Sequence, residues 1–333
     1  MRLLRILSIP SLILLLSGAS LFAQQGGERP GESEEFSFGP PLRDNILFTY
    51  KYTERVRIWM ENEQGVVTDS SDRTLTYYIT QMQRPADIGG GAIDIEANID
   101  SMRLDYRGRG GDIDFNTQNP DHVRDYSRIR HPAVLVPSTL VSSVTHFTIS
   151  PYGAFVGMSS PAFESIRQQG EDPHLDDFTY KRIEQMINEK YLSTIFLPWR
   201  NLLPLGQNIT YDTPIQLPFA GTLDRIVFDD SVTVSLRHSQ EDRTRPFMEF
   251  KASLTHPITE WATYDGSPNP VLLSGAKGDI TGRLNLDQDG VVLSGFSTAG
   301  GKAEGSFQGK KVNARIEHQT FVEMVRMTNF PVN

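Results

Sequence analysis

The sequence predicts a mainly β protein of the α+β kind, with two antiparallel β-lobes joined by a two-helix insert. Two observations carry that prediction. Apolar residues recur with a period of two over long stretches in 45–158 and again in 199–333, which marks half-buried strands. Between them, over 159–198, the period becomes helical.

The chain opens with Arg2 and Arg5, then the apolar run Ile6–Leu16, then the small residues Ser17, Gly18, Ala19 and Ser20. This order predicts a secretory signal peptide over 1–23, with Ala23 before the cleaved bond. The run is shorter than the about 20 residues that a membrane span needs. Removing it takes away two arginines and moves the net charge from -9 to -11. That charge favours solubility and disfavours anionic lipid, so no stable membrane anchor is expected after cleavage. Residues 24–44 are rich in Gln, Gly, Glu, Pro and Ser and are expected to be an unstructured leader.

Alternation then begins abruptly. Ile46, Phe48, Tyr50, Tyr52, Val56 and Ile58 share one face, which Glu54 alone interrupts. Thr49, Lys51, Thr53, Arg55 and Arg57 share the other, so a long half-buried strand is expected. Leu75, Tyr77 and Ile79 continue the pattern. Ile93, Ile95, Ala97 and Ile99 make the next apolar face, and Met102, Leu104 and Tyr106 resume it in the opposite parity. One extra residue reverses strand facing, so a β-bulge is expected at Asp100-Ser101. After Gly108–Gly111 the pattern dissolves until a short strand at Thr145–Ser150.

Ser160-Pro161 is a good helix start and Gly170 a good stop. A second helix is expected over Asp176–Thr194, where Tyr180, Ile183, Ile187 and Tyr191 form a stripe and Pro198 ends the pattern. Beyond Gly206 strands are expected at Leu223–Phe228, Val232–Leu236, Phe247–Leu254, Gly278–Leu286, Val291–Phe296, Lys302–Gln308, Val312–His318 and Phe321–Met327. Asp287-Gln288-Asp289-Gly290 between two alternating runs is a hairpin signal. The last five strands read as an antiparallel meander.

Composition excludes several chemistries. With no Cys there is no disulfide scaffold, no Cys-ligated zinc, no iron–sulfur cluster and no thiol enzyme. An acidic chain without a basic cluster is a poor nucleic-acid binder. Ser274-Gly-Ala-Lys277 has the Ser-x-x-Lys spacing, but flanking glycines and strands deny it a helix, so a turn is expected. Gly295-Phe-Ser297-Thr-Ala299 is the nearest approach to a nucleophile elbow, in an expected hairpin. Asp94, Glu96, Asn98 and Asp100 read as a solvated strand face opposite the isoleucines. Asp112-Ile-Asp114-Phe-Asn116 starts like a calcium loop but has Thr117 and Val123 where Gly and Glu are required. The seven histidines (122, 131, 146, 174, 238, 256 and 318) show no metal-ligand spacing; His122 and His131 are expected in a polar surface loop. No catalytic, cofactor-binding or metal-ligating residue is therefore assigned. Tyr50, Tyr52, Tyr77, Tyr106 and Phe48 fit core packing, or the wall of a cavity between sheet and helices.

Three short motifs resemble a family of secreted, β-rich bacterial proteins of unknown function. Leu197-Pro198-Trp199-Arg200, continuing to Pro204 and Gly206, resembles the linker before their second lobe. Thr148-Ile-Ser150-Pro-Tyr-Gly153 resembles their strand and turn before the helices, and Gly282–Gly290 their strand and hairpin. Ile209 and Tyr211 stand where these relatives often carry a Trp. The likeness spans Ile46 to Met327 and implies architecture and an exported location, with no activity, cofactor or catalytic residue attached.

The function expected is that of an exported, non-catalytic, β-rich protein, periplasmic or secreted, that binds a partner or belongs to the cell envelope. An envelope protein or an apolar ligand are the partners in view. The alternatives are a secreted hydrolase with a dispersed carboxylate site and an outer-membrane β-barrel, which the charged helical insert disfavours.

Overall fold

The computed structural model describes residues 35–37, 46–86, 90, 92–108, 111–150, 155–161, 208–223, 226–240, 245–256, 261–262, 271–307 and 310–329. Of these residues 72% lie in strands and 8% in helices. The expected signal peptide and, beyond Pro161, the expected two-helix insert lie outside the described residues.

The strands are β1 (Glu35–Ser37), β2 (Ile46–Glu61), β3 (Val67–Pro85), β4 (Ile93–Arg107), β5 (Ile113–Asn116), β6 (Thr145–Ile149), β7 (Phe155–Ser159), β8 (Asn208–Thr210), β9 (Ile215–Leu223), β10 (Ile226–His238), β11 (Pro246–His256), β12 (Trp261–Ala262), β13 (Val271–Leu286), β14 (Val292–Phe307) and β15 (Lys310–Asn329). Three short helices, α1 (Pro120–Arg124), α2 (Tyr126–Ile129) and α3 (Pro132–Ser138), lie between β5 and β6. Within the expected unstructured leader, β1 pairs antiparallel with β8.

All the other strands form one 13-stranded antiparallel sheet, in the order β7-β6-β4-β3-β2-β15-β14-β13-β11-β10-β9, with β5 added on β4 and β12 on β13. The expected division into two lobes is therefore not a division of the sheet. The first long strand, β2, pairs along its whole length with the last, β15, from Ile46↔Asn329 to Glu61↔Asn313. Strand sets from both halves of the chain meet at this junction.

One face of the sheet is apolar and covered. On β2 the buried side chains are Phe48, Tyr50, Tyr52, Glu54, Val56, Ile58 and Met60, alternating with half-buried neighbours. Leu75, Tyr77, Ile79, Ile93, Ile95, Ile99, Leu104 and Phe147 continue that face. Each such side chain contributes about 1.5–3 kcal/mol when fully buried. The opposite face carries Lys51, Thr53, Arg55, Arg57, Asp94, Glu96 and Glu317.

The bulge is where the sequence places it. Tyr78 pairs Ser101 and Ile79 pairs Ile99, so Asp100 is the extra residue, and Met102 regains the covered face. Its carboxylate accepts hydrogen bonds from the Thr80 hydroxyl and, at 2.7 Å, from Asn98 Nδ2. The expected 287–290 hairpin is also present. Asp287 Oδ1 accepts from the Asp289 and Val291 amides at 2.9 and 2.8 Å, and Gly290 takes φ 81°.

Four expectations are corrected. Leu223–Phe228 is not one strand: Leu223 pairs Ile226 at the end of the β9–β10 hairpin. Val291–Phe296 and Lys302–Gln308 belong to one strand, β14, because Gly300 and Gly301 run extended rather than turning. Val312–His318 and Phe321–Met327 are likewise continuous in β15. The stretch from Asp112 to Ser143, which shows no periodicity, holds β5 and the three helices. Asn119 caps α1 with Pro120 behind it, and Asp125 caps α2. Val134 and Leu140 of this stretch are buried, and the Tyr77 hydroxyl donates to the Pro137 carbonyl at 3.3 Å. The segment therefore covers the apolar face near β3 and β4.

Candidate functional site

Three ionisable side chains interrupt the apolar face at the junction of β3, β2 and β15. Arg73, Glu54 and His318 all have the inward parity of their strands. Arg73 Nη2 lies 3.0 Å from Glu54 Oε2, and His318 Nε2 lies 2.9 Å from Glu54 Oε1. The first contact is a hydrogen bond. The second is at ion-pair distance without hydrogen-bond alignment. Side-chain exposures of 14, 8 and 7% place the cluster out of bulk water, where unpaired charge would be costly.

The adjacent residues repeat the arrangement on the outer face with the signs exchanged. Arg55 makes two bonds to Asp72, at 3.0 and 2.6 Å. Arg57 lies 3.5 Å from Asp72 and 3.4 Å from Glu317. Hydrogen bonding to Asp72 is the main reason that Arg55 holds its proton more tightly than a free guanidinium. So β3, β2 and β15 are crossed by base–acid–base inside and acid–base–acid outside. The outer groups are about a third exposed or more, and such pairs contribute only about 0–1 kcal/mol each.

Next to the cluster the inner face changes character. Every inward residue of β14 from Gly295 to Gly305 is small: Gly295, Ser297, Ala299, Gly301, Ala303 and Gly305. His318 stands directly opposite Ala299. On the other side of β15 the face is a wall of Phe48, Tyr50, Tyr52, Tyr77 and Tyr106.

The residues weighed for chemistry in the sequence are not brought together. Asp94, Glu96 and Asn98 sit on the outer face of β4. Asp94 accepts from the Thr148 hydroxyl at 2.6 Å, and Glu96 lies 3.7 Å from Arg84. Ser274 and Lys277 lie in extended β13, a strand rather than the expected turn. Ser297 lies within β14, opposite Gly282 in the β13–β14 hairpin, as expected, and not at a strand-to-helix turn. Asp114 and Asn116 belong to β5, and His122 Nδ1 accepts from the Asn116 amide at 3.1 Å. His122 is in α1 and His131 packs its ring 5.4 Å from that of Tyr106, so both belong to ordered structure rather than a loose loop. Among the described residues no group of His, Asp and Glu has metal-ligand geometry, and no helix is long and apolar enough to cross a membrane.

The cluster is the feature that sequence reading passed over. Its signal was present: Glu54 breaks an apolar parity, Arg73 precedes Leu75, Tyr77 and Ile79 in theirs, and His318 follows Ala314 and Ile316. What was hidden is that β2 and β15 are neighbours.

No family model and no curated protein matches the chain. Among solved structures, one described as "lipid-protein interactions in lipovitellin" is similar over 87% of this chain and 26% of that chain, with 10% identity and a TM-score of 0.46. This chain thus spans about a quarter of that chain's length.

Proposed function

We propose that this chain is an exported, non-catalytic binding protein of the periplasm or cell surroundings, and that its ligand is apolar and meets the inner face of the large sheet. The observation that carries this reading is the contrast across that face. A strip of glycine, serine and alanine on β14 runs beside an aromatic wall on β2, β3 and β4, under a charged outer face. Leu284 and Val322 already fill the space over Gly295, but the small residues from Ser297 to Gly305 leave room for a filler from another source, and large apolar walls favour an apolar one.

The test uses the full chain purified from its own cells. Organic extraction and native mass spectrometry should find an apolar molecule bound in simple stoichiometry. A fluorescent apolar probe, N-phenyl-1-naphthylamine, should bind saturably, and Ala299→Phe should weaken it at least tenfold while the protein stays folded. Non-saturable binding, or a folded variant that binds as well as the parent, would overturn the reading. Intact-mass analysis should find a mature chain beginning near Gln24.

A second reading is a hydrolase, favoured by one observation, the Glu54 carboxylate 2.9 Å from the His318 imidazole. Such a pair orients a general base. Against it, Ser297, on the neighbouring strand, makes no hydrogen bond to His318 among the described residues. Turnover of generic esters, glycosides or peptides that His318→Ala abolishes would establish this reading in place of the first. A membrane barrel is disfavoured, because Lys51, Arg55 and Arg57 occupy the face that lipid would meet.

A further inference from the structure

We propose that the β2–β15 junction is an acid-sensitive seam, the first place at which this sheet opens as the pH falls. The geometry on both faces carries the inference. Inside, one carboxylate, Glu54, lies between two basic side chains, Arg73 and His318. In acid Glu54 loses its charge and His318 bears one, so an anion between two bases becomes a neutral acid between two cations. Outside, protonation of Asp72 and Glu317 removes the two acids that flank Arg55 and Arg57. Seven charged or titratable groups on three adjacent strands then change from alternating sign to one sign.

The surroundings offer little relief among the described residues. On the inner face the other titratable groups near the cluster are the phenols of Tyr52, Tyr77 and Tyr106, with His131 against Tyr106. β14 brings Ala299 and Ser297 to these rows. On the outer face Asp105 of β4 adds attraction for Arg55, and it too is lost on protonation. The inner cluster decides the outcome, because its charges are buried while the outer ones are screened by water.

Opening is directed to one side of β2. β2 and β3 are joined by a short turn, in which Asn62 Oδ1 accepts from the Gln64 and Val66 amides at 3.0 and 2.9 Å. Their ladder recloses at little entropic cost. β15 is joined to β2 only through the rest of the chain, with Arg57 and Glu317 260 residues apart. The strands farther along the sheet, β10 and β11, carry a single partly exposed ion pair between them, Arg237 with Glu249, among the described residues.

Pulsed hydrogen exchange read by mass spectrometry, corrected for the intrinsic pH dependence of exchange, tests this on the full chain. As the pH is lowered from 7 towards 3, peptides of β2 and β15 should lose at least tenfold in protection before peptides of β10 and β11 change. Glu54→Gln, which removes the charge and keeps the shape, should show the same selective loss at pH 7. Simultaneous loss in all four strands would overturn the proposal. So would a folded Glu54→Gln chain whose β2 and β15 are protected as in the parent. If that variant does not fold, the pH series on the parent decides alone.

Discussion

Arg57 and Glu317 are 260 residues apart along the chain and 3.4 Å apart on the outer face, directly opposite each other in the β2–β15 ladder. Beside them Arg315 lies over the Trp59 ring at 4.2 Å, also as direct partners. The junction is thus marked by specific pairs on its exposed side and by Glu54 with His318 beneath. Exposed pairs of this kind add little free energy. Arg57→Ala should therefore lower unfolding stability by no more than about 1 kcal/mol, and the difference should shrink in 1 M salt. Denaturant titrations at two salt concentrations check this.

The apolar side is where truncation costs most. Leu75 is fully buried, so Leu75→Ala should cost roughly 2–5 kcal/mol. Lys51→Ala, on the other face of the neighbouring strand, should change stability by less than about 0.5 kcal/mol. Equal effects in urea unfolding would contradict the assignment of faces.

Gly282 is needed for close packing. A Cβ there would run into the Phe250 ring and come within 2.6 Å of the Phe296 carbonyl oxygen. Gly282→Ala should cost about 1–3 kcal/mol, the range for overpacking. Adding Phe250→Leu should return part of that loss, and a double-mutant cycle measures the coupling.

The bulge gives a deletion test. Removing Asp100 would make Ser101 follow Ile99 directly, still opposite Tyr78 and Ile79, so Ile93–Ile99 and Met102–Tyr106 both keep the covered face and the chain should fold with a loss below about 2 kcal/mol. Asp100→Ala removes only exposed hydrogen bonds and should cost about 1 kcal/mol or less. Circular dichroism and thermal melts check both variants, and a chain that fails to fold without Asp100 would contradict its assignment as the extra residue.

Asp125 gives a pH test remote from the seam. The Ser127 hydroxyl, then the Arg128 amide and side chain and the Ser127 amide, hold its carboxyl below the ordinary range. A depressed folded value contributes stability that is present above the unfolded value, about 3.9, and is lost as the pH falls through the folded one. Ser127→Ala should raise the Asp125 titration midpoint, as carboxyl NMR resonances would report.

Local signals were legible wherever one strand or one turn decided the outcome. The parity of β2, the reversal at Asp100 and the 287–290 hairpin could be read directly. The glycines at 300 and 301 misled because extended glycine and turning glycine look alike in sequence; the pairing of Gly300 with Asp279 and Glu317 decides between them. The helices between β5 and β6 are too short, at 4–7 residues, to show a periodic stripe. The charge cluster could not be assembled, because a strand's alternation states which way a side chain faces and not which strand stands beside it.

The pairing of β2 with β15 has a consequence for the order of events during synthesis. The first long strand emerges early, and its hairpin with β3 can form at once. Its other edge, sixteen residues of open backbone, keeps its hydrogen-bonding groups unmatched until β15 has been made, with Arg57 and Glu317 260 residues apart. Exposed strand edges recruit foreign strands, and contacts of such long range form slowly. The growing chain therefore carries an open strand edge for a long time, and the charges of Arg55 and Arg57 on that strand oppose its pairing with foreign strands while it waits.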